Sequence, residues 1–118
     1  MPKKKTINKN NPEALKEAGN KAFAAGNFNE AIKQYTMAIE ITLEEPNHVY
    51  FANRANCYLE LGYFEECIQD CSASINLNST YPKAFYRKAK ALVNIQRLQE
   101  ALEAIQEGIK IDPDNKAF

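Results

Sequence analysis

Apolar and small residues return along this chain with the rhythm of amphipathic helices, and the whole rhythm then repeats. With the register set on Gly19, Ala55 and Ala89, matching residue classes fall at matching offsets. These are Leu15, Phe51 and Phe85; Phe28, Phe64 and Leu98; Ala31, Cys67 and Ala101; Tyr35, Cys71 and Ile105; Ala38, Ser74 and Gly108; Ile41, Leu77 and Ile111. The first two copies stand 36 residues apart and the next two 34 apart. Inside the first copy, Ala31, Ile32, Tyr35, Ala38 and Ile39 recur at i, i+1, i+4, i+7 and i+8, which is one apolar stripe of a helix. Each copy therefore predicts two helices. The first pair covers Pro12 to about Gly26 and Phe28 to Thr42. The second covers Asn47–Leu61 and Phe64–Leu77, and the third Tyr81–Ile95 and Leu98–Ile111.

Local punctuation agrees with these limits. Asn10 and Asn11 precede Pro12, a capping residue type followed by a proline at a helix start. Gly26 and Gly62 suit left-handed turn residues within the first two pairs, and Asn27 stands where it can cap the second helix. The third turn, Gln96-Arg97, has no glycine, so a tighter or strained turn is expected there. Leu43-Glu44-Glu45-Pro46 carries the two extra residues of the first junction and reads as a surface loop. Small residues at Gly19, Ala31, Ala38 and their counterparts let paired helices approach closely, while Phe and Leu fill the space towards the next pair.

A period of this length with helix-turn-helix content resembles the tetratricopeptide repeat family over roughly residues 12–115, and Pro113 stands where that pattern closes a repeat. The resemblance implies an all-α fold: three tandem helix-turn-helix repeats, at about 12–47, 48–81 and 82–115, in one domain spanning 12–118. One pair cannot bury its own stripe, so the pairs stack into a right-handed superhelix whose concave groove is lined by the first helix of each pair. The basic, Asn-rich stretch 1–11 is expected to be a disordered leader. Families of this kind add a polar helix at the C-terminal end, so Leu102, Ile105 and Ile109 are expected to be partly bare. The chain is accordingly expected to be a piece of a longer protein with at most the start of a seventh helix.

Composition narrows the function. Among 118 residues, 15 basic and 15 acidic side chains cancel, so no global field favours nucleic acid or a membrane surface. The cations are few and local, without the interleaved aromatic platforms that single strands require. Apolar runs are too short to insert in a membrane. One histidine, His48, no nucleophile-base arrangement and no glycine-rich phosphate loop argue against an enzyme. Asp70 and the pair Glu65-Glu66 read as solvated helix faces. Of Cys57, Cys67 and Cys71, the last two take the place of an alanine and an aromatic at core offsets, and all three read as free packing thiols rather than a metal site. No cofactor and no metal are expected. Free thiols point to a reducing compartment, the cytosol or nucleus, and a cytoplasmic location is expected.

The chemistry that remains is concentrated on the concave positions: Lys16 and Asn20 on the first helix, Asn53 on the third, Lys83 and Arg87 on the fifth. Lys16/Asn20 and Lys83/Arg87 are i, i+4 pairs that share a face. Three cations and two amides, with no acid at those five positions, make a receptor for a carboxylate. The segments Lys16-Glu17-Ala18-Gly19-Asn20, Asn53-Arg54-Ala55 and Lys83 to Ala89 resemble the dicarboxylate clamp of tetratricopeptide co-chaperones. That resemblance implies a protein-interaction module that grips the C-terminal Glu-Glu-Val-Asp tail of heat-shock chaperones of the seventy or ninety kilodalton classes, with neither class favoured. Phe23, Asn56, Leu59 and Lys90 are expected to line the rest of the groove, with Glu60, Tyr86 and Asn94 nearby; Phe23 and Leu59 equally suit packing against a neighbouring helix. A monomer is expected. The competing reading is a scaffold that binds a partner on its convex face, or self-associates through its last helix.

Overall fold

Asn11 starts the first helix: its side-chain Oδ1 accepts the Ala14 N–H at 3.2 Å, and Pro12 follows at a position where no N–H is needed. From there the computed structural model, which describes residues 11–118, runs through six helices. They are α1 (Pro12–Ala24), α2 (Phe28–Glu40), α3 (His48–Leu61), α4 (Phe64–Leu77), α5 (Pro82–Asn94) and α6 (Leu98–Ile111). No strand occurs among the described residues. The expected leader, apart from Asn11, lies outside them; Asn11 itself belongs to the helix as its cap.

The turn inside each repeat is closed by the same two backbone bonds. In the first, Gly26 N–H donates to the Phe23 carbonyl at 2.9 Å and Asn27 N–H to the Ala22 carbonyl at 2.8 Å. Gly62 with Tyr63, and Gln96 with Arg97, repeat the pattern. This closure needs a left-handed residue. Gly26 and Gly62 supply it at φ 81°, and Gln96 is forced to φ 62°, the strained turn expected from the missing glycine. Asn27 does not act as the expected side-chain cap. Backbone bonds already close this turn, and the equivalent positions are Tyr63 and Arg97, neither of which makes a side-chain cap.

Consecutive helices pack antiparallel, α1 on α2, α2 on α3 and so on, and α3 also meets α5. The small register residues sit where the sequence puts them: Gly19, Ala31, Ala38, Ala55, Cys67, Ser74, Ala89, Ala101 and Gly108 are all buried. A Cβ at Gly19 would stand 2.5 Å from Cε1 of Tyr35, so the ring lies flat on the glycine. The stack measures 56 × 26 × 24 Å, with a radius of gyration of 15.1 Å, against about 13 Å for a compact domain of this size. It is an extended three-repeat superhelix.

Two expectations need correction. Asp70 is not on a solvated face: its side chain is 8% exposed and takes two bonds from Arg54, Nε to Oδ2 at 2.7 Å and Nη2 to Oδ1 at 2.8 Å. Arg54 also donates to Thr36 Oγ1 at 3.1 Å, so one guanidinium ties α2, α3 and α4 together. Burial pushes the Asp70 carboxyl up while the guanidinium pulls against it. Two short parallel bonds are the geometry of an ionised pair, the form we assign at neutral pH. At the other end, Leu102 and Ile109 are bare, as expected, but Ile105 is half-buried. It lines a groove with Tyr86 and Phe118, because the turns after α6 fold back and lay the Phe118 ring on Gly108. Among the described residues no seventh helix forms.

Candidate functional site

The inner face is built from α1, α3 and α5. Asn20 (α1) and Asn53 (α3) line one open hollow of about 240 Å³ together with Phe23, Asn56 and, from α2, Tyr35. Arg87 arrives from α5: its Nη1 donates to the Ala52 carbonyl at 2.8 Å, which anchors the guanidinium on the residue before Asn53, and among the described residues this is the guanidinium's one hydrogen bond. Lys16 lies one helical turn before Asn20, and Lys83 one turn before Arg87, roughly 6 Å along each axis. Lys83 is exposed. Lys16 is one-quarter exposed and pairs with Glu13 at 3.0 Å, a partner on the adjacent turn. Glu13 in turn accepts the Tyr50 hydroxyl at 2.8 Å, and these two bonds, the tyrosine's first, hold its carboxyl below its ordinary range. With 60% of the Glu13 side chain in solvent, its hold on Lys16 is weak and leaves that charge available.

The secondary positions divide. Phe23 and Asn56 border the hollow, and Phe23 also packs edge-on against Phe28 at 5.1 Å, so both readings of that ring hold. Leu59 packs instead against the core of Ala55, Cys67, Ile68 and Leu92. Lys90 faces the separate groove with Tyr86, Asn94 and Phe118, its ammonium 5.3 Å from the Tyr86 ring centre. Leu59 and Lys90 stand three residues, about one turn, beyond Asn56 and Arg87 on the same side of their helices, and at that level the neighbours are the Ala55–Leu92 core for Leu59 and Tyr86 and Phe118 for Lys90.

Periodicity hid two contributors. Tyr35 reads as a core position and is 2% exposed, yet its hydroxyl donates to Asn20 Oδ1 at 2.6 Å. Tyr50 likewise occupies an apolar stripe and orders Glu13. The available signal was chemical: a buried tyrosine needs a partner for its hydroxyl, and the nearest polar helix face was the inner one.

The hollow is bordered by the amides of Asn20, Asn53 and Asn56, while Lys16, Lys83 and Arg87 are not among its lining residues. It offers little for bond-making chemistry. Burial pushes the Cys57 thiol up to about 12, and the contact with Cys67 Sγ at 4.0 Å, followed by burial, raises Cys71, so Cys57 and Cys71 stay neutral. His48 Nε2 meets Asn78 Nδ2 at 3.1 Å and does not border the hollow. Among the described residues no three His, Cys, Asp or Glu side chains group as metal ligands, and no helix is long and apolar enough to cross a membrane.

Comparison with known proteins gives a consistent picture. The family model described as anaphase-promoting complex, cyclosome, subunit 3 matches residues 24–108. The Hsp70-Hsp90 organising protein of Plasmodium falciparum is 35% identical over 112 residues, 95% of this chain and 44% of that relative. The chain thus spans under half the length of that protein. The first TPR domain of Spaghetti (RPAP3), solved bound to the HSP90 peptide SRMEEVD, superposes with a TM-score of 0.87 at 32% identity, covering 94% of this chain and 86% of that one. The second TPR domain of human RPAP3, solved in complex with the HSP70 peptide SGPTIEEVD, gives 0.81 at 32% identity, covering 91% of each.

Proposed function

Since the chain belongs to the tetratricopeptide repeat family, in its co-chaperone branch, we propose that it is a non-catalytic interaction module which binds the C-terminal Glu-Glu-Val-Asp tail of cytosolic heat-shock chaperones. The residues that hold the tail are Lys16, Asn20, Asn53, Lys83 and Arg87. The observation that carries this reading is the hollow shared by Asn20 and Asn53, with Arg87 anchored beside it on the Ala52 carbonyl. A terminal aspartate presents two carboxylates within one residue; the two amides that border the hollow and the three cations at neighbouring positions of the same three helices are the groups that would meet them. Charge-assisted bonds from Lys and Arg supply attraction, and the amides supply direction. Phe23 and Asn56 border the same hollow and contact the residue before the aspartate. The motif is shared by the tails of both chaperone classes, so both are partners. Buried free thiols suit a reducing cytoplasm.

Titration calorimetry tests this. A peptide ending in Glu-Glu-Val-Asp is expected to bind at roughly micromolar Kd, about −8 kcal/mol. Lys83→Ala or Arg87→Ala is expected to cost about 2–5 kcal/mol of binding, since a held carboxylate loses its charged partner. Amidating the peptide terminus does similar damage, and rising salt weakens the complex because the site is open to water. An amidated peptide that binds as well as the free acid would move the contact to the convex face.

A further inference from the structure

We infer that Tyr35 is a positioning residue for tail binding: its ring is seated over Gly19, and its hydroxyl locks the Asn20 amide with its NH2 towards the hollow. The inference rests on the carboxylate-clamp reading above. A carboxylate can accept from the amide nitrogen of an asparagine but is repelled by its oxygen, and a free side-chain amide presents either. Something must choose. The Tyr35 ring is 2% exposed, and among the described residues the only hydrogen bond of its hydroxyl goes to Asn20, at 2.6 Å. A buried phenol must place its proton on an acceptor, so Asn20 turns Oδ1 inward and keeps both N–H groups of Nδ2 for the hollow that Asn20, Tyr35 and Asn53 line. Burial raises the phenol to about 12, so it remains a donor throughout the physiological range.

The chain contains its own controls. At the register position of Tyr35 the other repeats carry Cys71 and Ile105, and at that of Gly19 they carry Ala55 and Ala89. Only the first repeat pairs a glycine with a tyrosine. The reason is steric: the ring passes so close to Gly19 that a Cβ would stand 2.5 Å from Cε1 and 2.8 Å from Cζ. That close approach brings the hydroxyl to the next residue, Asn20. In the second repeat the residue after Ala55 is Asn56, but the Cys71 thiol meets Cys67 instead, at 4.0 Å. The Gly-Tyr pair thus coincides with the one repeat whose asparagine at this position belongs to the clamp.

The test is a double-mutant cycle on peptide affinity, with a Glu-Glu-Val-Asp peptide as free acid and as amide. Tyr35→Phe keeps the ring and removes the hydroxyl; it is expected to weaken the free-acid peptide about three- to tenfold, the size of one neutral hydrogen bond. In an Asn20→Ala background the same change is expected to have no further effect, whereas with Lys83→Ala the two losses multiply. Wild-type affinity in Tyr35→Phe, or full additivity with Asn20→Ala, overturns the inference while leaving the clamp intact. A wild-type protein that ignores the free acid, or fails to distinguish it from the amide, overturns the clamp and this inference with it. Proton NMR of the wild type supplies a second measurement that needs no folded variant. A Tyr35 hydroxyl proton protected from exchange is expected, and one exchanging like a free phenol refutes the bond.

Discussion

Replacing Asp70 by Asn tests the buried ion pair without opening a cavity, because the two side chains have the same shape. In the native protein both oxygens of Asp70 accept from Arg54, at 2.7 and 2.8 Å, and the two side chains are 8% and 18% exposed. An amide can offer only one oxygen to that fork. Whichever way it rotates, its NH2 faces an Arg54 N–H at a distance suited to a hydrogen bond, and a guanidinium charge is left in the interior without its counter-ion. The Thr36 hydroxyl at 3.1 Å and the faces of Phe51 and Tyr58, 5.9 and 5.8 Å from the guanidinium carbon, offset part of that loss. Breaking one side of a buried pair costs about 3–5 kcal/mol. At roughly 4 °C per kcal/mol for a chain of this size, the melting midpoint should fall by about 12–20 °C. Circular-dichroism melts and urea titrations at low and high salt measure it. Because the pair is shielded from solvent, the loss should persist in about 1 M salt. Combining Asp70→Leu with Arg54→Met should recover most of it, since apolar residues avoid the desolvation cost altogether. A loss in Asp70→Asn below about 1 kcal/mol, or one that salt abolishes, would return Asp70 to the solvated face that its sequence context suggests.

Three further outcomes follow from local geometry. Gly19→Ala should lower stability by about 1–2 kcal/mol in thermal melts, because displacing the Tyr35 ring outweighs the gain of about 1 kcal/mol in helix propensity; an unchanged or raised midpoint refutes that packing. Gln96→Gly should raise stability by about 0.5–1 kcal/mol in the same assay, relieving the φ of 62° in the third turn, and a destabilised variant would show that the Gln side chain has a role of its own. His48 is kept neutral by burial, which lowers its pKa from the ordinary 6.5. The folded chain thus binds that proton less readily than the unfolded one, so its contribution is complete above pH 6.5 and is lost as pH falls below 6.5 through the lowered folded value. Melting midpoints should decline over that window and decline less in His48→Gln; equal slopes would exclude His48 as the source.

Much of the fold was legible in residue order, because each repeat is a local unit. The 34- to 36-residue spacing, the small residues at Gly19, Ala55 and Ala89, and the glycines at 26 and 62 specify helices, close approaches and left-handed turns through interactions a few residues apart. Even the strain at Gln96 was visible as a missing glycine. That Asn20 and Asn53 share one hollow follows for the same reason, since the register assigns both to the inner face, and i, i+4 spacing puts Lys16 on the side of Asn20 and Lys83 on that of Arg87. Which side chains then meet across helices was decided by packing alone. Arg54 finds Asp70 at a separation of 16 residues, Tyr35 finds Asn20 at 15, Tyr50 finds Glu13 at 37, and Arg87 finds the Ala52 carbonyl at 35. Periodicity counts Asp70 as polar and Tyr35 as apolar, and so misplaces the first and overlooks the hydroxyl of the second. Burial makes partners obligatory, since an unpaired charge or hydroxyl in the interior costs more than the bond returns when made. Sequence reports which face a residue is on; only the stacked helices determine what stands opposite it.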